Sequence, residues 1–182
     1  MDGWREVRLG DVCLTNTDSY SAKDKWDFVN YLDTGNITSN HIDEIQHIDI
    51  GCEKLPCRAK RKVKCNSVIY STVRPNQRHY GIIKTQPENF LVSTGFAVID
   101  VNPSEMDADF LYFLLSSDDI TETLHAIAEQ STSAYPSIKA SDIEDLRVLL
   151  PKLPVQKQIA SLLMGIENKI AHNTAINKNL AA

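Results

Sequence analysis

The sequence predicts an α+β fold, with a mixed α/β domain over residues 1–150 and then a long helix over 151–182 built to pair as a coiled coil. Three observations carry this expectation. Short runs rich in β-branched and aromatic residues, broken by Gly or Pro, fill the first hundred residues and read as strands. Apolar residues at three-to-four spacing follow and read as helices. After Pro151-Lys152-Leu153-Pro154 the chain carries no further proline, and its only glycine is Gly165.

In chain order, strands are expected at Phe28 to Leu32, Val68 to Val73, Gly81 to Ile83 and Phe90 to Val101. Helices are expected at Asp107 to Leu115 and Ile120 to Ala128. Ser141-Asp142-Ile143-Glu144 fits a capping box, the serine capping and the glutamate reaching back. Leu146 to Leu150 reads as a short strand ended by Pro151. In the last helix Ile159, Leu163, Ile166, Ile170, Asn173, Asn177 and Leu180 alternate by four and three, a heptad seam that wants a partner helix. At 1.5 Å per residue the stretch runs ~35 Å. The plainer alternative is an amphipathic helix folded back on its own domain.

At 182 residues the length suits one domain, or one domain with an appendage. With 42% hydrophobic and 24% charged residues the composition is that of an ordinary soluble protein. No run approaches the ~20 apolar residues of a membrane span, and Met1-Asp2-Gly3-Trp4-Arg5 lacks a signal-peptide core. A cytoplasmic location and no membrane partner are expected. Cys13, Cys52, Cys57 and Cys65 match no zinc spacing and read as reduced thiols, mostly packing residues.

The charge pattern is the strongest functional signal. Between Glu53 and Glu88 lie 34 residues without an acid, holding Lys54, Arg58, Lys60, Arg61, Lys62, Lys64, Arg74, Arg78 and Lys84. The chain as a whole has 19 basic against 24 acidic residues, so 10 basic and 24 acidic remain outside that window. A block of one sign on an acidic protein points to a polyanion, nucleic acid foremost. Basic clusters also serve as localisation signals or bind acidic proteins. The second cluster, Arg74-Pro75-Asn76-Gln77-Arg78-His79, adds side chains that can make bidentate contacts to base edges. Ser131, Thr132, Ser133, Tyr135 and Ser137 form a hydroxyl-rich loop that serves either as a turn or as a contact to sugar-phosphate oxygens.

Signs of catalysis are missing. The sequence has neither a glycine-rich phosphate loop nor a Gly-x-Ser-x-Gly elbow. His41, His47, His79, His125 and His172 are scattered without metal-ligand spacing. Asp24 with Asp27, or Asp118 with Asp119, read as caps or solvated faces rather than as metal carboxylates. No Asn/Asp-Pro-Pro-aromatic tetrapeptide of an amino-methyltransferase occurs. The chain is expected not to be an enzyme and to hold no metal.

Four blocks resemble the DNA specificity subunit of type I restriction–modification systems. They are Trp4 to Val12, Val68 to Pro75 running into Gly81, Val92 to Val98, and Tyr135-Pro136-Ser137-Ile138 with Leu150-Pro151 through Ala160 and on to Asn173. The Gln156-Lys157-Gln158-Ile159-Ala160 helix start after Pro154 is the most specific of them. The resemblance implies a target-recognition domain that reads one half of a split site on double-stranded DNA. It also implies a spacer helix that packs antiparallel on another. No cofactor is expected on this chain; S-adenosylmethionine would belong to a methyltransferase subunit, and ATP and Mg to a restriction motor subunit, both partners.

In this scheme Arg58, Lys60, Arg61, Lys62 and Lys64 meet phosphates, while Asn76, Gln77 and Arg78, with Arg74 and His79 beside them, approach base edges in the major groove. Ser71 to Pro75 resembles the family's common framework, so the alternative for Arg74 is architecture or a phosphate contact, with the variable flanks reading sequence. Ser131 to Ser137 would position the backbone. Family members commonly have two recognition domains and two helices, and this chain has one of each. It reads as a half-subunit that dimerises through its helix, or as the N-terminal half of something longer. The rivals are an assembly protein that binds no DNA and a recognition module of another restriction–modification class.

Overall fold

The computed structural model describes residues 3–21, 23–131 and 135–180. Two four-stranded sheets form its centre. The first runs in the order β6 (Gln46–Asp49), β3 (Phe28–Leu32), β10 (Phe90–Ser93), β7 (Ala59–Lys62). The second runs β2 (Cys13–Thr15), β11 (Phe96–Val101), β8 (Val68–Ser71), β9 (Tyr80–Ile82). Two-stranded sheets pair β1 (Arg5–Arg8) with β12 (Arg147–Leu150), and β4 (Ile37–Thr38) with β5 (His41–Ile42). Helices α1 (Ala108–Leu115), α2 (Asp118–Glu129) and α3 (Ala140–Glu144) follow β11, and α4 (Leu153–Leu180) ends the described chain. The architecture is α+β.

The burial pattern explains the layers. Leu32, Phe90 and Val92 of the first sheet meet Ile69, Phe96 and Val98 of the second, so strands buried on both faces read as unbroken apolar runs. The other face of the second sheet, with Tyr70 and Ile99, packs on Leu111, Leu115 and Leu124 of the helices. The outer face of the first sheet is covered by Tyr20 and Trp26 over Val29 and Leu91.

The expected strand Phe90 to Val101 is two strands joined at Thr94-Gly95. A side chain at Gly95 would put its Cβ 2.7 Å from the Arg58 guanidinium and 2.8 Å from Thr34, which leaves glycine as the residue that fits. The expected strand to Val73 ends at Ser71, because Arg74 turns into the left-handed region at φ 49°. At α1 the Asp107 carboxylate caps the helix by accepting the Phe110 N–H at 3.0 Å. At α3 the cap falls earlier than the Ser141–Glu144 pattern suggests. Asp142 accepts the Lys139 N–H at 2.6 Å, while Glu144 instead accepts the Thr15 hydroxyl. Of the cysteines only Cys13 is buried, its thiol pushed up to about 12 by burial and then by Asp100. Cys52, Cys57 and Cys65 are exposed, so the packing expected of the cysteines holds for one of four.

Strand direction gives the central sheets two rims. Leu32, Ser71 and Ser93 end their strands, and Ala59, Tyr80 and Phe96 begin theirs, at one rim, which carries the β10–β11 hairpin. Lys62, Ile82 and Val101 end at the other, where α4 begins beside Lys64, Lys84 and Asp109.

Candidate nucleic-acid interface

A ladder of backbone bonds assembles the hairpin rim. The Thr94 N–H donates to the Arg58 carbonyl at 2.8 Å, and the Thr72 N–H to the Gly95 carbonyl at 2.8 Å. The Ile138 N–H donates to Thr72 at 2.9 Å and the Arg74 N–H to Pro136 at 2.9 Å. The ladder brings Arg58 and the Arg74–His79 loop together and docks the 135–138 segment on the latter. Arg74 stands over the Tyr135 ring, 4.9 Å from its centroid. Ser131 and Ser137 hydroxyls lie 3.2 Å apart. Thr132 and Ser133 lie outside the described residues.

The loop itself is strained. Pro75–Gln77 is a single 3-10 turn with a left-handed residue on each side, Arg74 at φ 49° and Arg78 at φ 57°. A residue before proline is ordinarily extended, and non-glycine residues in this region concentrate at functional sites. The turn leaves Asn76 and Gln77 exposed at its tip. Arg78 is held sideways, 2.6 Å from Asp118 at the start of α2, which raises its affinity for the proton further. Its side chain keeps 43% of its surface exposed. His79 is partly buried, with Nδ1 2.5 Å from the Ile37 carbonyl and 3.4 Å from the Thr38 hydroxyl.

The β4–β5 hairpin adds residues that the sequence reading missed. Ser39 and Asn40 are both left-handed, at φ 46° and 65°, the two-residue turn that joins antiparallel strands. The Ser39 N–H donates to the Arg78 carbonyl and the Asn40 N–H to the Tyr80 carbonyl. Gly81 is held close beneath, where a Cβ would lie 2.8 Å from the Asn40 amide oxygen. The signal was Ser39-Asn40 between Ile37-Thr38 and His41-Ile42. At the next strand end Asp33 is half-buried. Burial alone would raise its pKa, but bonds from the Thr34 N–H, Ser93 and Tyr31, together with the Arg58 charge, hold it below the usual carboxylate value.

The expected phosphate contacts divide. Arg58 and Lys60 are exposed, and among the described residues neither they nor Arg74 forms an ion pair. Lys62 is committed inside the fold: Nζ lies 2.6 Å from Asp24, 3.9 Å from Asp18 and 5.4 Å from the Trp26 ring centroid. The Asp24 hydrogen bond raises the Lys62 pKa and lowers that of Asp24. Lys64 lies 3.3 Å from Asp100. Arg61 is half-buried, its Nε without a hydrogen-bond partner and its pKa lowered by burial. The structure therefore does not gather Arg61, Lys62 and Lys64 with Arg58. They lie toward the base rim, among carboxylates that neutralise the two lysines.

Asp118 and Asp119 sit in the first turn of α2, where the helix dipole favours acids. Among the described residues no cluster of three His, Cys, Asp or Glu could hold a metal, and no helix is long and apolar enough to cross a membrane.

Helix α4 is anchored at its first turn. The buried Gln156 amide donates to the carbonyls of Glu105 and Pro151 at 2.9 and 2.8 Å, and its oxygen accepts the Asp107 N–H at 2.9 Å. Ala160 is buried and Ile159 half-buried against the core. Tyr112 donates to Glu167 at 2.6 Å, and its phenol pKa is raised first by burial and then by this bond. This is why the sequence reads Gln-x-x-Ile-Ala there.

Residues 1–182 match the type I restriction modification DNA specificity domain, an agreement that takes in the rim loops and the helix anchor alike. The chain belongs to that family. The specificity subunit of type I restriction enzyme HindI from Haemophilus influenzae is 31% identical over 186 residues, 99% of this chain and 39% of that protein. The putative MjaX specificity subunit of Methanocaldococcus jannaschii is 24% identical, over 98% of this chain and 42% of that protein. The crystal structure of the HsdS subunit from Thermoanaerobacter tengcongensis superposes with TM-score 0.81 at 27% identity, over 97% of this chain and 45% of that one. A specificity subunit of M. genitalium, at 15% identity and TM-score 0.60, shares the fold over 93% of this chain and 40% of its own. The chain spans less than half the length of each of these relatives.

Proposed function

We propose that this specificity-domain chain reads one half of a bipartite target on double-stranded DNA. In doing so it positions a methyltransferase subunit and a restriction motor subunit. Catalysis, with S-adenosylmethionine, ATP and Mg, belongs to those partners. The observation that carries the reading is the hairpin rim, where Arg58, Arg74, Asn76 and Gln77 stand exposed on one surface while Lys62 and Lys64 of the same sequence block are neutralised elsewhere. Arg58 and Lys60 supply salt-dependent attraction to phosphate. Arg74, Asn76 and Gln77 supply forked and amide donors for base edges. Arg78 and His79, with Ser131, Tyr135 and Ser137, shape the loop that presents them.

The exposed apolar face of α4 supports a second role within the same reading, the pairing of two copies through their helices. A pair of identical reading heads related by a two-fold axis would read a symmetric bipartite site.

Sequencing of methylated sites after co-expression with the cognate methyltransferase subunit tests the proposal. A symmetric, split methylated motif is the expected result. No methylated motif from a soluble complex would overturn it in favour of an assembly role.

A further inference from the structure

Arg58 is exposed, yet its guanidinium lies against the β10–β11 hairpin rather than in open solvent. The Arg58 carbonyl is tied to the same turn, accepting the Thr94 N–H at 2.8 Å. Beneath the guanidinium is Gly95, which is buried, and beside it is the Thr34 methyl. A Cβ at Gly95 would meet Nη2 of Arg58 at 2.7 Å and that methyl at 2.8 Å. Gly95 does not have a positive φ, so its backbone would accept an L side chain. What glycine provides at this turn is room for a cation.

A nearly saturated acid lies under the same turn. Asp33 accepts the Thr34 N–H at 2.8 Å and the Tyr31 hydroxyl at 3.1 Å. Ser93, fully buried, donates to it as well. The Gly95 N–H in turn donates to the Ser93 hydroxyl at 3.3 Å, which joins the turn to the acid. The Arg58 charge acts on both Asp33 and Tyr31. A carboxylate has about four acceptor sites, and three donors already occupy this one. Among the described residues it forms no ion pair with Arg58. The guanidinium is attracted without being captured, whereas Asp24 holds the Lys62 ammonium at 2.6 Å.

From this geometry, and resting on the reading of the hairpin rim as the DNA face, we infer that Gly95 is a positioning residue for Arg58, seating its guanidinium against the β10–β11 turn so that its donors are presented to a DNA phosphate. An exposed, rotamer-rich side chain ordinarily gives up freedom when a contact fixes it. The seat takes part of that loss during folding, before DNA arrives.

Titration on a labelled duplex of unrelated sequence tests the seat, because a phosphate contact carries no sequence information. In the full chain Gly95→Ala should fold, since the nearest atom in its way is the far end of a flexible side chain, and Arg58 should leave the turn. Binding should weaken roughly 3- to 10-fold and the salt slope should fall by about 1, as for Arg58→Ala. Added to Arg58→Ala, the same exchange should change binding by less than about twofold, a non-additivity that a general packing role would not produce. Gly35→Ala, whose Cβ would meet nothing within 4 Å, should bind as the parent chain does. If the Thr34 methyl resists and the unfolding midpoint falls, Thr34→Ser beside Gly95→Ala should restore the midpoint while the loss of binding remains. Unchanged binding by Gly95→Ala, with Arg58→Ala still weakened, would overturn the seat and leave the DNA reading intact. Equal losses from Gly95→Ala with and without Arg58 would overturn it likewise. A parent chain that shows no salt-dependent binding to duplex would remove the reading of the rim and the seat with it.

Discussion

The two rims of the central sheets draw cations from one acid-free stretch of sequence and use them in opposite ways. At the hairpin rim Arg58 and Arg74 stand exposed, and the chain accepts two left-handed residues around Pro75–Gln77 to present Asn76 and Gln77. At the base rim Lys62 sits on Asp24, Lys64 on Asp100 and Lys84 on Asp109, close to where α4 leaves the domain. A cation with a carboxylate already in contact has little charge left to offer phosphate, whereas an unpaired one can release counterions on binding. On the proposed reading the first rim is the one that recognises, while the second holds the helix to the head.

The largest effect should come from the base rim. Gln156→Leu removes an amide that satisfies one buried carbonyl, one half-buried carbonyl and one N–H, and leaving these unpaired should lower stability by about 3–5 kcal/mol. Urea unfolding measures this, and the folded fraction should bind DNA with unchanged affinity. At the hairpin rim Arg74→Ala should leave the unfolding midpoint nearly fixed. Its loss should be about 1–3 kcal/mol of cognate binding, roughly 5- to 150-fold in Kd by titration on a labelled duplex. Arg58→Ala should act more weakly and on all sequences alike, reducing the salt slope by about 1. Equal losses on cognate and unrelated duplexes for both variants would erase the distinction between base and phosphate contacts at this rim.

Local order was legible in the sequence, and partnership across the fold was not. Phe28–Leu32 and the helix ending at Leu115 show in their own local runs of β-branched, aromatic and periodic apolar residues, so pattern alone located them. Lys62 and Lys64 take acids 38 and 36 positions away, and no pattern near residue 60 announces Asp24 or Asp100. The helix seam shows an intermediate case. Ile159, Ile166, Asn173 and Leu180 belong to either phase of the heptad, and only the anchoring of Gln156 and Ala160 decides that Leu162, not Leu163, faces outward. Ser39 and Asn40 reach the end of the Arg74–His79 loop through a short hairpin whose turn residues are visible in sequence but whose destination is not.

The smallest expected effect separates charge from packing at the base rim. Asp24 is held below its ordinary pKa, first by the hydrogen bond from Lys62 and then by the Ser21 N–H. A depressed carboxylate stabilises the fold above its unfolded value, about pH 4, and this contribution is lost as pH falls through the folded value. Lys62 is raised, so its contribution is complete below about pH 10.4 and is lost only as pH climbs through the higher folded value. Lys62→Met keeps the stem over Trp26 and removes the charge. Thermal melts should show the variant about 2–4 °C below the parent near pH 7, with the gap closing as pH falls below about 4. A gap that persists in acid would assign the loss to packing on Trp26 instead. A fall in DNA affinity as large as that of Arg74→Ala would instead place Lys62 on phosphate, and the contrast between the two rims would not survive it.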